Sequence, residues 1–288
     1  MRKTLYIVIG PTASGKTAYA IELAQKLKTE IISADSRQIF KEMNIGVARP
    51  SEQELQTVKH HLIATWSITE NYNVARYERE AITLINNLFT QYDDLVLCGG
   101  SGMYVNAVIN GIDDMPDTPI ELRNALNEEL NTKGFEALLE ELKMKDAKYY
   151  SEVDKQNPRR VLRALEVIRQ TGKPFSEFRK NENTSRNFDI KIIGLQRSRE
   201  ELVKRIDKRV DIMVNDGLVD EVRSLSAYKS FPALSTVGYR ELFDYFDNKT
   251  SLEEAIELIK IHTRQYAKRQ MTWFRKTQNV NWVDLCSI

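Results

Sequence analysis

Thr4-Leu5-Tyr6-Ile7-Val8-Ile9-Gly10-Pro11-Thr12-Ala13-Ser14-Gly15-Lys16-Thr17 is the stretch that decides the fold. Residues 4–9 are apolar and β-rich, the run stops at Gly10, and alanine-rich sequence of helical period follows over 17–27. Strand, glycine loop and helix in that order are the setting in which Gly-x-x-x-x-Gly-Lys-Thr makes a phosphate loop. Backbone amides and the helix N-terminus surround a phosphate, Lys16 adds a point charge, and the Thr17 hydroxyl can ligate magnesium. Gly10, Pro11, Thr12, Ala13, Ser14, Gly15, Lys16 and Thr17 are therefore the candidate phosphate-binding residues, with Thr17 the candidate metal ligand.

Outward from this loop the strand–helix alternation continues. Residues 30–34 form a second short apolar strand ending at Asp35, and residues 94–98 a third, ending in Gly99-Gly100-Ser101-Gly102 before helical spacing resumes over 103–109. Strands alternating with helices imply a parallel sheet. The texture changes at Asp113-Asp114-Met115-Pro116-Asp117-Thr118-Pro119, an acidic, breaker-rich joint, after which only helical patterns appear up to about residue 179. Pro158 stands near the start of one of these helices, and Gly172-Lys173-Pro174 ends it. Residues 190–195 read as a strand again, 199–227 as a helix interrupted at Gly217, and 280–285 as a last strand. The expected architecture is α/β: a P-loop NTPase-like parallel sheet core flanked by helices (1–116 and 188–288), with an all-helical insertion domain (117–187).

Composition narrows the class. A chain of 288 residues with 42% hydrophobic and 29% charged residues is neither disordered nor fibrous, and is long enough for two modest domains. No apolar stretch reaches the ~20 residues of a membrane helix, and Met1-Arg2-Lys3 runs straight into the first strand, so no membrane association and a cytoplasmic location are expected. Cys98 and Cys286 cannot build a disulfide framework, and three histidines offer no Cys/His zinc cluster, so any metal must be held by oxygen.

Lys and Arg number 42 against 41 Asp and Glu, a net +1, which gives no global attraction to nucleic acid. Two local clusters stand out. Residues 158–173 carry Arg159, Arg160, Arg163, Arg169 and Lys173 against Glu166 alone, and 262–276 carry five cations without an acid, interleaved with Tyr266, Trp273 and Phe274. Each by itself reads as a solvated helix face.

A phosphate loop serves kinases, NTP-driven motors and transferases acting on pyrophosphate esters alike. Ligands of open α/β sheets lie at the carboxyl ends of strands, where Asp35-Ser36-Arg37-Gln38 and Gly99-Gly100-Ser101 fall. Asp35 is open to three readings: general base, metal ligand or helix N-cap. The strand at 95–98 ends in glycine rather than the acid that supports magnesium in nucleotide hydrolysis. A kinase with a helical lid and a non-catalytic RNA-binding NTPase remain the alternatives to a transferase.

Taken together, GPTASGKT at 10–17, ISADSRQIF at 32–40, MNIGVARP at 43–50, CGGSGMY at 98–104, NPRRVLRALEV at 157–167, RIDKRVDIMVNDGLVDEV at 205–222, VGYRE at 237–241 and AKRQMTWFR at 267–275 resemble the tRNA dimethylallyltransferase (tRNA isopentenyltransferase) family, in order and over nearly the whole chain. The resemblance implies transfer of a dimethylallyl group from dimethylallyl diphosphate to the exocyclic amine of the adenosine 3′ of the anticodon, in tRNAs reading codons that begin with U. It further implies Mg2+ dependence and a monomer. It makes Asp35 the general base, with Lys16 and Arg209 meeting the charge of the departing diphosphate, and Arg205 lies one helical turn from Arg209. Gln38 has the donor–acceptor pair that suits a flipped adenine. Ser36, Arg37 and Ser101 become secondary contacts, while Arg123, Arg159, Arg160, Val161, Leu162, Arg163, Gly238, Tyr239 and Arg240 would grip the anticodon arm. Two departures are visible: Phe40 replaces a common Tyr, and Ala64 follows His60-His61-Leu62-Ile63 where an acid is common. Those histidines are assigned to packing or a turn.

Overall fold

The computed structural model describes residues 2–179 and 184–285. Cys286 lies outside the described residues. In chain order the elements are β1 (Thr4–Ile9), α1 (Lys16–Leu27), β2 (Ile31–Ser33), α2 (Glu52–Thr57), β3 (His60–His61), α3 (Val74–Leu88), β4 (Asp94–Gly99), α4 (Gly102–Asn110), α5 (Ile120–Lys133), α6 (Phe135–Lys145), α7 (Ala147–Glu152), α8 (Pro158–Thr171), α9 (Phe175–Phe178), β5 (Asp189–Gln196), α10 (Arg199–Asn215), α11 (Leu218–Ser224), α12 (Tyr239–Phe246), α13 (Leu252–Phe274) and β6 (Val280–Asp284).

Among the described residues, six strands form one sheet in the order β3-β2-β4-β1-β5-β6, every pair parallel. Central strands of such a sheet are covered on both faces and read as continuous apolar runs, as 5–9 and 95–97 do. Alternation along β1 then sorts the side chains. Leu5, Ile7 and Ile9 join Tyr77, Ala81 and Ile85 of α3 and Tyr104 of α4 on one face. Val8 meets Ala20 and Ala24 of α1 on the other. A further helical core packs α10 to α13 against residues 39–43, and Phe40 is buried within it.

The chain divides into two compact units, Met1–Ile109 with Ser185–Ile288, and Asn110–Thr184. The helical unit therefore begins seven residues before the expected 117 and ends three before the expected 187. Local bonding explains the shift. Thr184 N–H donates to the Asn110 carbonyl, and the breaker-rich joint belongs to the helical unit because Arg163 binds the Pro116 carbonyl and Thr118. On the other side, Arg186 donates to the carbonyls of Ala107 and Val108 and pairs with Glu78. The core of the helical unit comprises Leu126, Leu138, Leu142, Val161, Leu165 and their neighbours. Among the described residues no helix is long and apolar enough to cross a membrane.

Candidate active site

The carboxyl ends of β1, β4 and β2, consecutive in the sheet, carry the phosphate loop, Gly99–Ser101 and the Asp35 turn. The loop needs its first glycine. Gly10 has φ +155°, and a Cβ there would stand 2.7 Å from the Leu195 carbonyl oxygen of β5. Ala13 is held at φ 64° and Gly15 at 103°, both left-handed, which turns the chain into α1. The amides of Ala13, Gly15, Lys16 and Thr17 have no partner among the described residues, and those of Lys16 and Thr17 open the helix, so they form an anion-binding end. Two loop amides are already engaged. Ser14 N–H donates to the Pro11 carbonyl, and Thr12 N–H donates to Gln270 Oε1 at 2.8 Å. The Ser14 side chain is fully buried, so the serine contributes no exposed hydroxyl.

Cations close over this loop. Arg197 Nε donates to the Ser14 carbonyl at 3.0 Å, Arg205 Nε to the Ala13 carbonyl at 2.8 Å, and Arg209 Nη1 to Thr12 Oγ1 at 3.3 Å. Lys16 Nζ donates to the Pro11 carbonyl at 2.7 Å. Lys16, Arg205 and Arg209 bond only to loop oxygens, with no carboxylate partner among the described residues. Burial brings the Lys16 ammonium down to about 8, and Arg209 pushes it the same way. Burial likewise lowers the Arg209 guanidinium, reinforced by Arg205. Converging cations that destabilise one another mark a site built for an anion of more than one charge.

Asp35 lies one residue past Ala34, whose carbonyl accepts from Ser101 N–H. Its Oδ1 accepts from the amides of Arg37 at 2.9 Å and Gln38 at 3.3 Å, which fixes the carboxylate as the cap of its own turn. Oδ2 has no partner among the described residues and is available to a substrate proton. Capping and proton acceptance are thus compatible, one oxygen each. Ser101 Oγ accepts from Ser36 N–H at 2.8 Å and lies 3.1 Å from Ser36 Oγ, tying the turn to the end of β4.

Other expected contacts are redrawn. Gln38 Nε2 donates to the carbonyls of Val47 and Ala48, so its amide supports the 47–48 loop and leaves only Oε1 for a base. Tyr239 is fully buried and donates its hydroxyl to Glu221, and Gly238 is buried too, so within 238–240 only the Arg240 side chain is exposed. In the helical unit Val161 is fully buried and Leu162 half-buried against the same core, because a helix fixes both in the apolar stripe of α8. Arg163 and Arg123 both pair with the buried Glu166. Arg159 and Arg160 are exposed, and with Arg163 and Arg179 they line a cleft of about 610 Å³ floored by Tyr149 and Phe175.

His60 and His61 form the edge strand β3, and His61 Nε2 pairs with Glu30 at 2.5 Å, a packing role. Burial pushes the Cys98 thiol up to about 11, which leaves it no thiolate chemistry at neutral pH. Among the described residues no group of three or more His, Cys, Asp or Glu side chains could hold a metal. Thr17 remains as a single oxygen donor beside the anion site, a set that suits magnesium carried largely by substrate phosphates.

Two residues of this site escape a sequence reading, Arg197 and Gln270. Ala267, Gln270 and Phe274 are the buried positions of the last turns of α13, so a polar residue standing in an apolar stripe was the available signal for Gln270.

A phosphate loop ringed by cations that have no carboxylate partner among the described residues, next to a carboxylate with one open oxygen, defines a P-loop α/β protein with an anion site beside a candidate proton acceptor. The family model for IPP transferases matches residues 38–277, and the chain belongs to that family. It is 47% identical over 284 residues to a tRNA dimethylallyltransferase of Christiangramia forsetii, covering 99% of this chain and 94% of that protein. Among solved structures it resembles the full-length tRNA isopentenylpyrophosphate transferase of Bacillus halodurans, with a TM-score of 0.72, 37% identity and coverage of 98% and 90%. It also resembles a eukaryotic dimethylallyltransferase described as acting on tRNA, with a TM-score of 0.83, 28% identity and coverage of 98% and 74%.

Proposed function

We propose that this protein transfers the dimethylallyl group of dimethylallyl diphosphate to the exocyclic amine of the adenosine 3′ of the anticodon, in tRNAs reading codons that begin with U. The observation that carries the reading is the pairing of an anion site rich in unpaired cations with Asp35, whose Oδ1 is fixed by two amides while Oδ2 is free. Family membership and the tRNA-modifying relatives support it.

The amine of adenine is a weak nucleophile because its lone pair is delocalised into the ring. As the new carbon–nitrogen bond forms, the amine becomes acidic, and Asp35 Oδ2 takes its proton, a role worth ~10²–10⁴-fold. The carbon–oxygen bond to diphosphate breaks in the same step, and its electron pair leaves with the diphosphate. Lys16, Arg209 and the free amides at the start of α1 meet that charge in fixed positions. The Thr17 hydroxyl would hold Mg2+ at this site, and the ion would supply further neutralisation of the leaving group's charge. Arg205 and Arg197 bind loop carbonyls, which orients the loop and leaves its amides to the ligand.

On the RNA side the reading assigns phosphate contact to Arg159 and Arg160, and to Arg240, with the base extruded from its stack to reach Asp35. Arg123 and Arg163 serve the fold of the helical unit first. The protein acts as a monomer in this reading. Incubating it with tRNA and labelled dimethylallyl diphosphate tests the whole scheme: label in the RNA supports it, and ATP-dependent phosphate transfer instead would favour a kinase.

A further inference from the structure

Gln270 is a buried amide of α13 that, among the described residues, hydrogen-bonds to neither the proposed base nor the proposed leaving-group cations, yet it joins the parts that carry them. Its Oε1 accepts from Thr12 N–H at 2.8 Å, and its Nε2 donates to the Gly100 carbonyl at 2.9 Å. The side chain is 6% exposed, so both bonds are made away from bulk water, where an unpaired amide is costly. Its partners lie 258 and 170 residues away in the chain. The fit is close at Gly100: a Cβ there would stand 2.4 Å from Gln270 Nε2 and 3.7 Å from Lys16 Nζ, which is why glycine occupies the position. From Gly100 the connection continues. The next residue, Ser101, accepts from Ser36 N–H, and Ser36 adjoins Asp35.

We propose that Gln270 is a positioning residue that holds the phosphate loop at a fixed spacing from the β4 end and, through Ser101, from the Asp35 turn. The inference rests on the transferase reading above for its kinetic consequences, though not for its binding test. In-line displacement needs the leaving diphosphate and the attacking amine on opposite sides of one carbon, with the base beside the amine, so a brace between the phosphate loop and the Asp35 turn acts on geometry without touching the reacting atoms. Other residues hold one of the two loops at a time: Arg205 and Arg209 bind phosphate-loop atoms, Arg197 joins the Ser14 carbonyl to the Leu285 carbonyl, and Ser101 binds the turn. Gln270 bonds to both loops. Its amide is also suited to the task chemically, since a single planar group supplies one acceptor and one donor in opposite directions.

The test is Gln270→Met, which fills nearly the same volume but makes neither bond. Magnesium pyrophosphate titrated by calorimetry should bind about tenfold more weakly than to the wild type, tRNA should bind within about twofold, and the melting temperature should stay within a few degrees. In turnover, KM for dimethylallyl diphosphate should rise and kcat should fall, each by about tenfold, with KM for tRNA unmoved. Should Q270M not fold, Gln270→Asn keeps the site polar, is one methylene too short to span both partners, and should move the same quantities in the same direction by less. A variant with wild-type pyrophosphate affinity and transfer rate overturns the proposal. So does one that loses pyrophosphate and tRNA affinity together, which marks general damage rather than positioning. Wild-type protein that binds pyrophosphate but never prenylates tRNA would refute the transferase reading, and the titration would still decide the role of Gln270.

Discussion

At the residue scale the proposed chemistry is divided between the two oxygens of Asp35 and the cations Lys16 and Arg209 at the loop. Asparagine at position 35 keeps an oxygen for the amides of Arg37 and Gln38, so the turn should survive, but it cannot accept a proton at neutral pH. Asp35→Asn should therefore slow single-turnover transfer by ~10²-fold or more while the dissociation constants of donor and tRNA change little. Near-normal transfer would reduce Asp35 to a cap. Rescue by added magnesium would make it a metal ligand. Lys16 gives a pH test. Its ammonium is brought down to about 8 by burial, and a bound diphosphate must raise it again, so binding is coupled to keeping that proton. Affinity for pyrophosphate should be fully present below about pH 8 and should weaken as the pH rises above it. Lys16→Ala should bind more weakly throughout and lack that step, with tRNA affinity near wild type. A step of the same size in Lys16→Ala would assign the titration to another group.

At the element scale the strand ends and helix starts are held by contacts that tolerate little change. A Cβ on Gly99 would lie 2.1 Å from the Ala34 carbonyl oxygen, backbone against backbone, so neither side can yield. Gly99→Ala should cost at least ~1–3 kcal/mol in chemical denaturation and displace the Asp35 turn, with unchanged stability arguing against so close an approach of β2 and β4. In the helical unit, Glu166 is 6% exposed and accepts from Thr118, Arg123 and Arg163. Arg163→Ala should lower stability by about 1–3 kcal/mol by taking one charged partner from that carboxylate and the donor from the Pro116 carbonyl, whereas Arg159→Ala should leave stability unchanged.

Elements with a local signature were legible in the sequence: β1 and α1 around the phosphate loop, β4 with its glycines, α8 with Pro158 at its start and Gly172 at its end. The break at Gly217 was legible too, since Gly217 sits at φ 101° between α10 and α11. A two-residue strand such as β3 carries no period to detect. Val161, Leu162 and Tyr239 fell within motifs that resemble RNA-contacting segments, but a motif marks a stretch and not which side chains of it face outward. Gln270 and Arg197 each reach a phosphate-loop partner far away in the chain, 258 and 183 residues distant, a relation that no local pattern encodes.

At the scale of the whole molecule, a net charge of +1 means that RNA affinity must come from placed cations rather than from a global field. Arg159 and Arg160 are exposed at the N-terminal end of α8, beside the cleft floored by Tyr149 and Phe175. Replacing both with alanine should weaken tRNA binding and flatten its salt dependence, by up to ~0.7–0.9 in the log–log slope for each phosphate that is no longer neutralised. Pyrophosphate affinity should not change. An intact slope would make these arginines a solvated face. Transfer by this chain is tested by single-turnover reaction of labelled dimethylallyl diphosphate with tRNA carrying either adenosine or a purine without the exocyclic amine 3′ of the anticodon. Label should appear on the adenosine tRNA alone, with release of diphosphate in equal amount, and both should be lost in Asp35→Asn. Label on the amine-free tRNA, or diphosphate release without label in RNA, would contradict it.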